Sequence, residues 1–189
     1  MVILTNPPVE VDLMAVDTWN YFPSANTFYL VGYEDLYPVK GDYDFNDLTV
    51  AYQVKYGLNV EGEVVVIQGL AYLITRGSAY SHDWRLGIEL PGNAIGNLEC
   101  TTHFPPDYIS RGFTTTLSQP CSLTNAANLN GNLDLVVFED TVNLYRDPAG
   151  SLFVNSQSIP GNWNLRYFDG PKSDFRLDLA SPMSISSIM

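Results

Sequence analysis

Apolar and polar residues alternate along much of this chain. Between Leu48 and Tyr56, the residues Leu48, Val50, Tyr52, Val54 and Tyr56 share one face, while Thr49, Gln53 and Lys55 fall mostly on the other. A period of two puts successive side chains on opposite sides of an extended backbone, so this run predicts a half-buried strand. The same signal recurs. Val64 to Thr75 is rich in β-branched residues and broken by Gly69, and Arg85 to Leu90 ends at Pro91-Gly92. Leu133, Leu135 and Val137 alternate with Asn132, Asp134 and Val136, and Phe175, Leu177 and Leu179 with Arg176, Asp178 and Ala180. The 3.6-residue period of an amphipathic helix is nearly absent; its best candidate is Val9 to Trp19.

Turn chemistry separates these runs. Asp147-Pro148-Ala149-Gly150 carries the residues of a type I turn and predicts a hairpin of Val142–Arg146 with Leu152–Asn155. Pro91-Gly92-Asn93, Asn130-Gly131-Asn132 and Pro160-Gly161-Asn162 mark further corners. Short strands at fairly regular spacing with few helices predict an all-β protein, an antiparallel β-sandwich of jelly-roll-like or Greek-key type. No repeat or linker interrupts it, so residues 1–189 read as a single β-sandwich domain, of a size to be excised from a longer exported protein.

Composition narrows the function. Nine Lys and Arg stand against 21 Asp and Glu, a net charge of −12, and no basic stripe occurs. Nucleic acid and anionic membrane surfaces both need clustered cations, so neither is an expected partner, and a monomer is expected in isolation. No apolar run is long enough for a spanning helix, so membrane insertion is not expected. Cys100 and Cys121 either close a disulfide or stay as two buried thiols; the low charge and the Asn, Ser, Thr and Gly-rich loops suit a secreted protein.

The densest chemistry lies in YEDLYPVKGDYDFNDL, from Tyr33 to Leu48. Glu34 and Asp35 precede a Pro-containing turn; Asp42, Asp44 and Asn46 then alternate with Tyr43 and Phe45, and Asp47 follows. Crowded carboxylates repel one another unless a cation sits among them. Hard oxygen donors on a loop suit Ca²⁺, whereas zinc and copper would call for His or Cys, which this segment lacks. The alternation predicts Asp42, Asp44 and Asn46 converging on one side, with Tyr43 and Phe45 anchored in the core. This is not an EF-hand: its glycine position holds Asp47 and its twelfth position Gln53. Glu34 or Asp35, reaching back across the turn, would replace the missing distant Glu. The plainer alternative is a solvated turn whose Asp and Asn side chains cap the backbone without an ion.

The run YEDLYPVKGDYDFNDLTVAYQ resembles the LruC domain of bacterial exported and surface proteins, in which an aromatic-Glu-Asp-Leu element precedes Gly-Asp-Tyr-Asp-Phe-Asn-Asp-Leu. GSAYSHDWRLGIELPG, from Gly77 to Gly92, is similar to that family's small-aromatic-His segment leading to Gly-hydrophobic-Leu-Pro, with Asp83-Trp84-Arg85 in place of its Asn-Gly-Phe. With the first run taken from about Phe22 to Gln53, the resemblance covers roughly residues 22–92. The resemblance implies an extracellular or cell-surface module with a calcium site at Glu34, Asp35, Asp42, Asp44, Asn46 and Asp47. A similar signature in calcium-dependent bacterial adhesin domains implies adhesion or ligand recognition over catalysis.

Other constellations are thinner. His82 and His103 are the only histidines, and without a Gly-x-Ser-x-Gly elbow a hydrolase built on His82-Asp83 lacks its nucleophile signature. Asp134, Glu139 and Asp140 could supply an acid–base pair, though acids at strand ends are ordinary. Asp169, Asp174 and Asp178 interleave with Lys172 and Arg176, which predicts surface ion pairing. Trp19, Tyr21, Phe22, Tyr108, Trp163, Tyr167 and Phe168 fall in or near turns as well as strands. Aromatics in all-β proteins are usually core, but exposed rings stack on sugars, and Trp84 and Trp163 are the candidates for a glycan-binding surface; a peptide is the other candidate ligand.

Overall fold

The computed structural model describes residues 12–34, 36, 39, 41, 44–90, 92–104, 119–120, 132–144, 154–155 and 170–188. The strands are β1 (Thr18–Phe22), β2 (Tyr29–Tyr33), β3 (Leu48–Leu58), β4 (Val64–Arg76), β5 (Trp84–Glu89), β6 (Ile95–His103), β7 (Gln119–Pro120), β8 (Asn132–Phe138), β9 (Val154–Asn155) and β10 (Lys172–Met183). Every pairing is antiparallel. One sheet runs β1-β3-β4-β10-β6-β7, with β2 also on β3 and β9 on β4; β5 and β8 form a second, two-stranded sheet. The fold is thus all-β and sandwich-like, as the alternation predicts.

Alternation decides which face is buried. Val50, Ile67, Leu73, Phe175 and Leu177 share one side of the large sheet and are 5% exposed or less. The small sheet covers that side with Ile88, Leu133, Leu135 and Phe138. Tyr52 of the large sheet meets Trp84 of the small one at 5.4 Å between ring centroids. The Ser173 hydroxyl, buried in the same layer, donates to the Val137 carbonyl at 3.1 Å. At Gly69 the Phe175 ring from the facing strand lies where a side chain would begin, so only glycine fits there.

β1 and β2 lie end to end along one edge of β3, interrupted by a loop at 23–28. Gln53, 9% exposed in the middle of β3, donates its amide to the carbonyls of Ser24 (2.5 Å) and Thr27 (2.8 Å), pinning that loop to the sheet.

Several expectations change. From Asp12 to Asp17 the chain forms turns and irregular backbone, then enters β1, so no helix occupies the described part of Val9 to Trp19. The side chain of Val16 instead packs beside Val66 over Gly57 of the sheet, a contact that extended chain reaches more readily than a short helix. Among the described residues of the hairpin expected from Val142–Arg146 and Leu152–Asn155, Thr141–Leu144 is one helical turn, closed by Leu144 N–H on the Asp140 carbonyl at 3.0 Å, and β9 pairs with β4. Its turn, Asp147 to Gly150, lies outside the described residues. Cys100 is buried in β6; Cys121 lies outside the described residues, and the expected pairing with it.

Candidate functional site

The acidic segment connects the end of β2 to the start of β3, two strands already paired, so its ends are held together before any ion is considered. Glu34, Leu36, Val39, Gly41 and Asp44 to Asp47 are described; Asp35, Asp42 and Tyr43 are not. The Val39 N–H donates to the Leu36 carbonyl at 2.6 Å and closes the turn. The Glu34 carboxylate then reaches across to accept the N–H of Phe45, which brings Glu34 beside the Asp44 to Asp47 bend.

Phe45 itself departs from the sequence expectation. Its φ is 54°, the left-handed region, and its ring is 57% exposed rather than anchored in the core. A left-handed residue reverses the local alternation, so a side chain that would point inward in a strand points to solvent. The conformation is over-determined by its partners: Thr49 donates its hydroxyl to the Phe45 carbonyl at 3.0 Å, and Glu34 accepts the Phe45 N–H.

Neighbouring strands hold the rest of the bend. Thr75 of β4 donates its hydroxyl to the Asn46 carbonyl at 2.9 Å, and Gly77 N–H donates to the Asp47 carbonyl at 3.1 Å. Gly77 lies against Asn46 so closely that a Cβ there would meet the Asn46 carbonyl at 2.9 Å; at Gly32 one would meet the Phe45 carbonyl at 2.8 Å. Two glycines therefore let the bend dock between β2 and the end of β4. The Asp44 carboxylate accepts from the main-chain and side-chain N–H groups of Asn46.

The main-chain carbonyls of Phe45, Asn46 and Asp47 are all engaged, so a cation at this bend would be met by side-chain oxygens. Glu34, Asp44, Asn46 and Asp47 supply a donor set made only of hard oxygens, which fits Ca²⁺ and not zinc or copper. Among the described residues no three of His, Cys, Asp and Glu come together closely enough to form a ligand group.

A cavity of about 470 Å³ borders the bend through Glu34 and is lined by Tyr33, Leu48, His82, Asp83, Trp84 and Arg85 as well. Trp84 is not the exposed platform the sequence suggested. It is 5% exposed and stacks between Tyr52 and Phe138, because the first residue of β5 faces the core. The indole Nε1 and the His82 Nε2 are buried without a hydrogen-bond partner. Arg85 joins Asp134 at 2.9 Å and Asp83 at 3.3 Å.

Among the described residues, Ser81, His82 and Asp83 are not joined in a hydrogen-bonded relay. The Ser81 hydroxyl donates to Asp140 rather than to His82, and the His82 main chain is tied to Thr141. Ser81, helped by Asn143, holds the Asp140 carboxyl below the ordinary aspartate range, the wrong direction for a general acid. Asp134, the other acid of the candidate pair, is committed to Arg85. Asp174 and Asp178 are surface ion-pair partners, Asp174 with His103 (2.7 Å) and Asp178 with Arg176 (2.7 Å). Asp169, Tyr108, Trp163, Tyr167 and Phe168 lie outside the described residues.

Compared with family models, with curated proteins and with solved structures, the chain finds no match.

Proposed function

We propose that this protein is a calcium-binding β-sandwich module of a bacterial secreted or cell-surface protein, serving adhesion or ligand recognition. The observation that carries the reading is the return of Glu34 from the end of β2 onto the Phe45 N–H, which sets its carboxylate beside a buttressed bend that carries Asp44, Asn46 and Asp47. Calcium there neutralises groups that otherwise repel, and so fixes the loop that leads into β3. Asp35 and Asp42 complete the proposed ligand set. The likeness of the Tyr33 to Leu48 run to the LruC signature supports the surface location. The ion's role is structural first, holding the rim of the Glu34 cavity where a ligand would enter.

Calorimetric titration of calcium into the chelator-treated protein tests this. One tight site is expected in the wild type, weakened at least tenfold in Asp44→Asn and in Glu34→Gln. Equal calcium affinity in all three proteins would refute the ligand assignment.

A further inference from the structure

We propose that the open face of the large sheet, on the side away from β5 and β8, binds an acidic glycan whose sugars carry carboxylates. A groove of about 640 Å³ crosses this face over β1, β3, β4, β10 and β6. The register lays one row straight across it: Tyr21, Lys55, Gln68, Arg176 and Glu99 stand opposite one another on successive strands. Phe28, carried over the sheet by the loop that Gln53 pins, closes one wall against Tyr72 at 5.7 Å between ring centroids.

Charge selects the occupant. The whole chain carries −12, yet the lining holds three cations, Lys55, Lys172 and Arg176, against two carboxylates, Glu99 and Asp174. Asp174 lies against His103, and Arg176 is already paired with Asp178, which leaves Lys55 and Lys172 facing Glu99. Neither Lys55 nor Lys172 has a carboxylate partner among the described residues, in a protein where acids outnumber bases. The Lys55 ammonium lies over the Trp19 ring at 4.0 Å and 5.7 Å from the Tyr21 ring centre. Burial first, and the neighbouring Arg176 second, lower its pKa, so an anion placed beside Lys55 would favour its charged form. At physiological ionic strength the surrounding acidic field is screened within about 8 Å, which leaves local complementarity to decide.

A glycan suits the groove better than an acidic peptide. Peptides that join sheets do so at edges, through main-chain hydrogen bonds, whereas the backbone of β3, β4 and β10 under the middle of this groove is spent in ladders on both sides. Recognition here falls to side chains. The half-exposed rings of Tyr21 and Phe28 offer stacking faces, and the Gln68 amide at the centre has no partner among the described residues.

The test is calorimetric titration of the full chain, at physiological salt and with calcium present, using a uronic-acid tetrasaccharide, its neutral counterpart and a glutamate-rich peptide. The uronate is expected to bind at least tenfold more tightly than either comparison ligand, and Lys55→Gln and Lys172→Gln are each expected to weaken it severalfold while leaving the thermal midpoint near that of the wild type. The proposal is overturned by equal binding of the neutral sugar or the peptide, by no uronate binding, or by wild-type affinity in both folded variants; that last outcome would place the uronate on calcium at the bend.

Discussion

Chelating calcium is expected to lower the midpoint of thermal unfolding by roughly 10 °C. An ion that binds only the folded state adds RT ln(1 + [Ca²⁺]/Kd), about 4 kcal/mol at a thousandfold excess over Kd. For a chain of 189 residues each kcal/mol is worth roughly 2–4 °C. Asp44→Asn should abolish most of the difference between calcium and chelator. It keeps the side chain's shape and an oxygen toward Asn46, and removes the charge that the ion neutralises. Magnesium should substitute poorly, because it holds its water and wants stricter octahedral geometry than a bend of carboxylates provides. Identical melts in calcium and in chelator would remove the structural role of the ion.

Phe138→Ala is expected to cost about 3–5 kcal/mol, the range for emptying a fully buried aromatic site. Phe138 is 0% exposed, belongs to the two-stranded sheet, and has its ring 6.2 Å from that of Trp84, which in turn touches Tyr52 of the large sheet. Its removal therefore opens a void where the two sheets meet, and neither sheet can close it alone. Phe22→Ala is the control: that ring is 37% exposed, rests on Tyr56 at 5.0 Å, and should cost about 1 kcal/mol or less given its partial burial. Urea unfolding separates the two through their midpoints at unchanged slope. Equal losses in both variants would mean that the small sheet is not part of the cooperative core.

Strands β3, β4, β5, β8 and β10 were legible because side-chain alternation is a local property, whereas β1, β2 and β6 were not announced. Leu48 to Tyr56, Val64 to Thr75 and Phe175 to Leu179 each announce a buried face without reference to any partner, and each lies inside a strand. What alternation cannot announce is who pairs with whom. β10 lies between β4 and β6, a placement set by tertiary packing between segments far apart in sequence. The same holds at β9, whose partner is the distant β4, while Val142 to Leu144, expected as a strand, lies in a helical turn.

At the acidic bend, the donor chemistry was readable and the geometry was not. Glu34 reaching back could be guessed from the need for a distant carboxylate, whereas the outward turn of Phe45 depends on one positive φ that no spacing reveals. The buttressing of Asn46 by Thr75 and Gly77 joins residues about thirty positions apart. Gly32 near the end of β2 and Gly77 just after β4 were the available signal, since close backbone approach is what glycine permits. Burial of Trp84 was hidden because a tryptophan beside Asp83 and Arg85 looks exposed until the strand direction is known.

The most direct measurement is a crystal structure grown in millimolar calcium, with anomalous scattering recorded to locate the ion. An anomalous peak about 2.3–2.6 Å from carboxylate oxygens of Glu34 and Asp44 is the predicted result. A well-ordered bend with no such peak, its acidic side chains turned out into water, would contradict it.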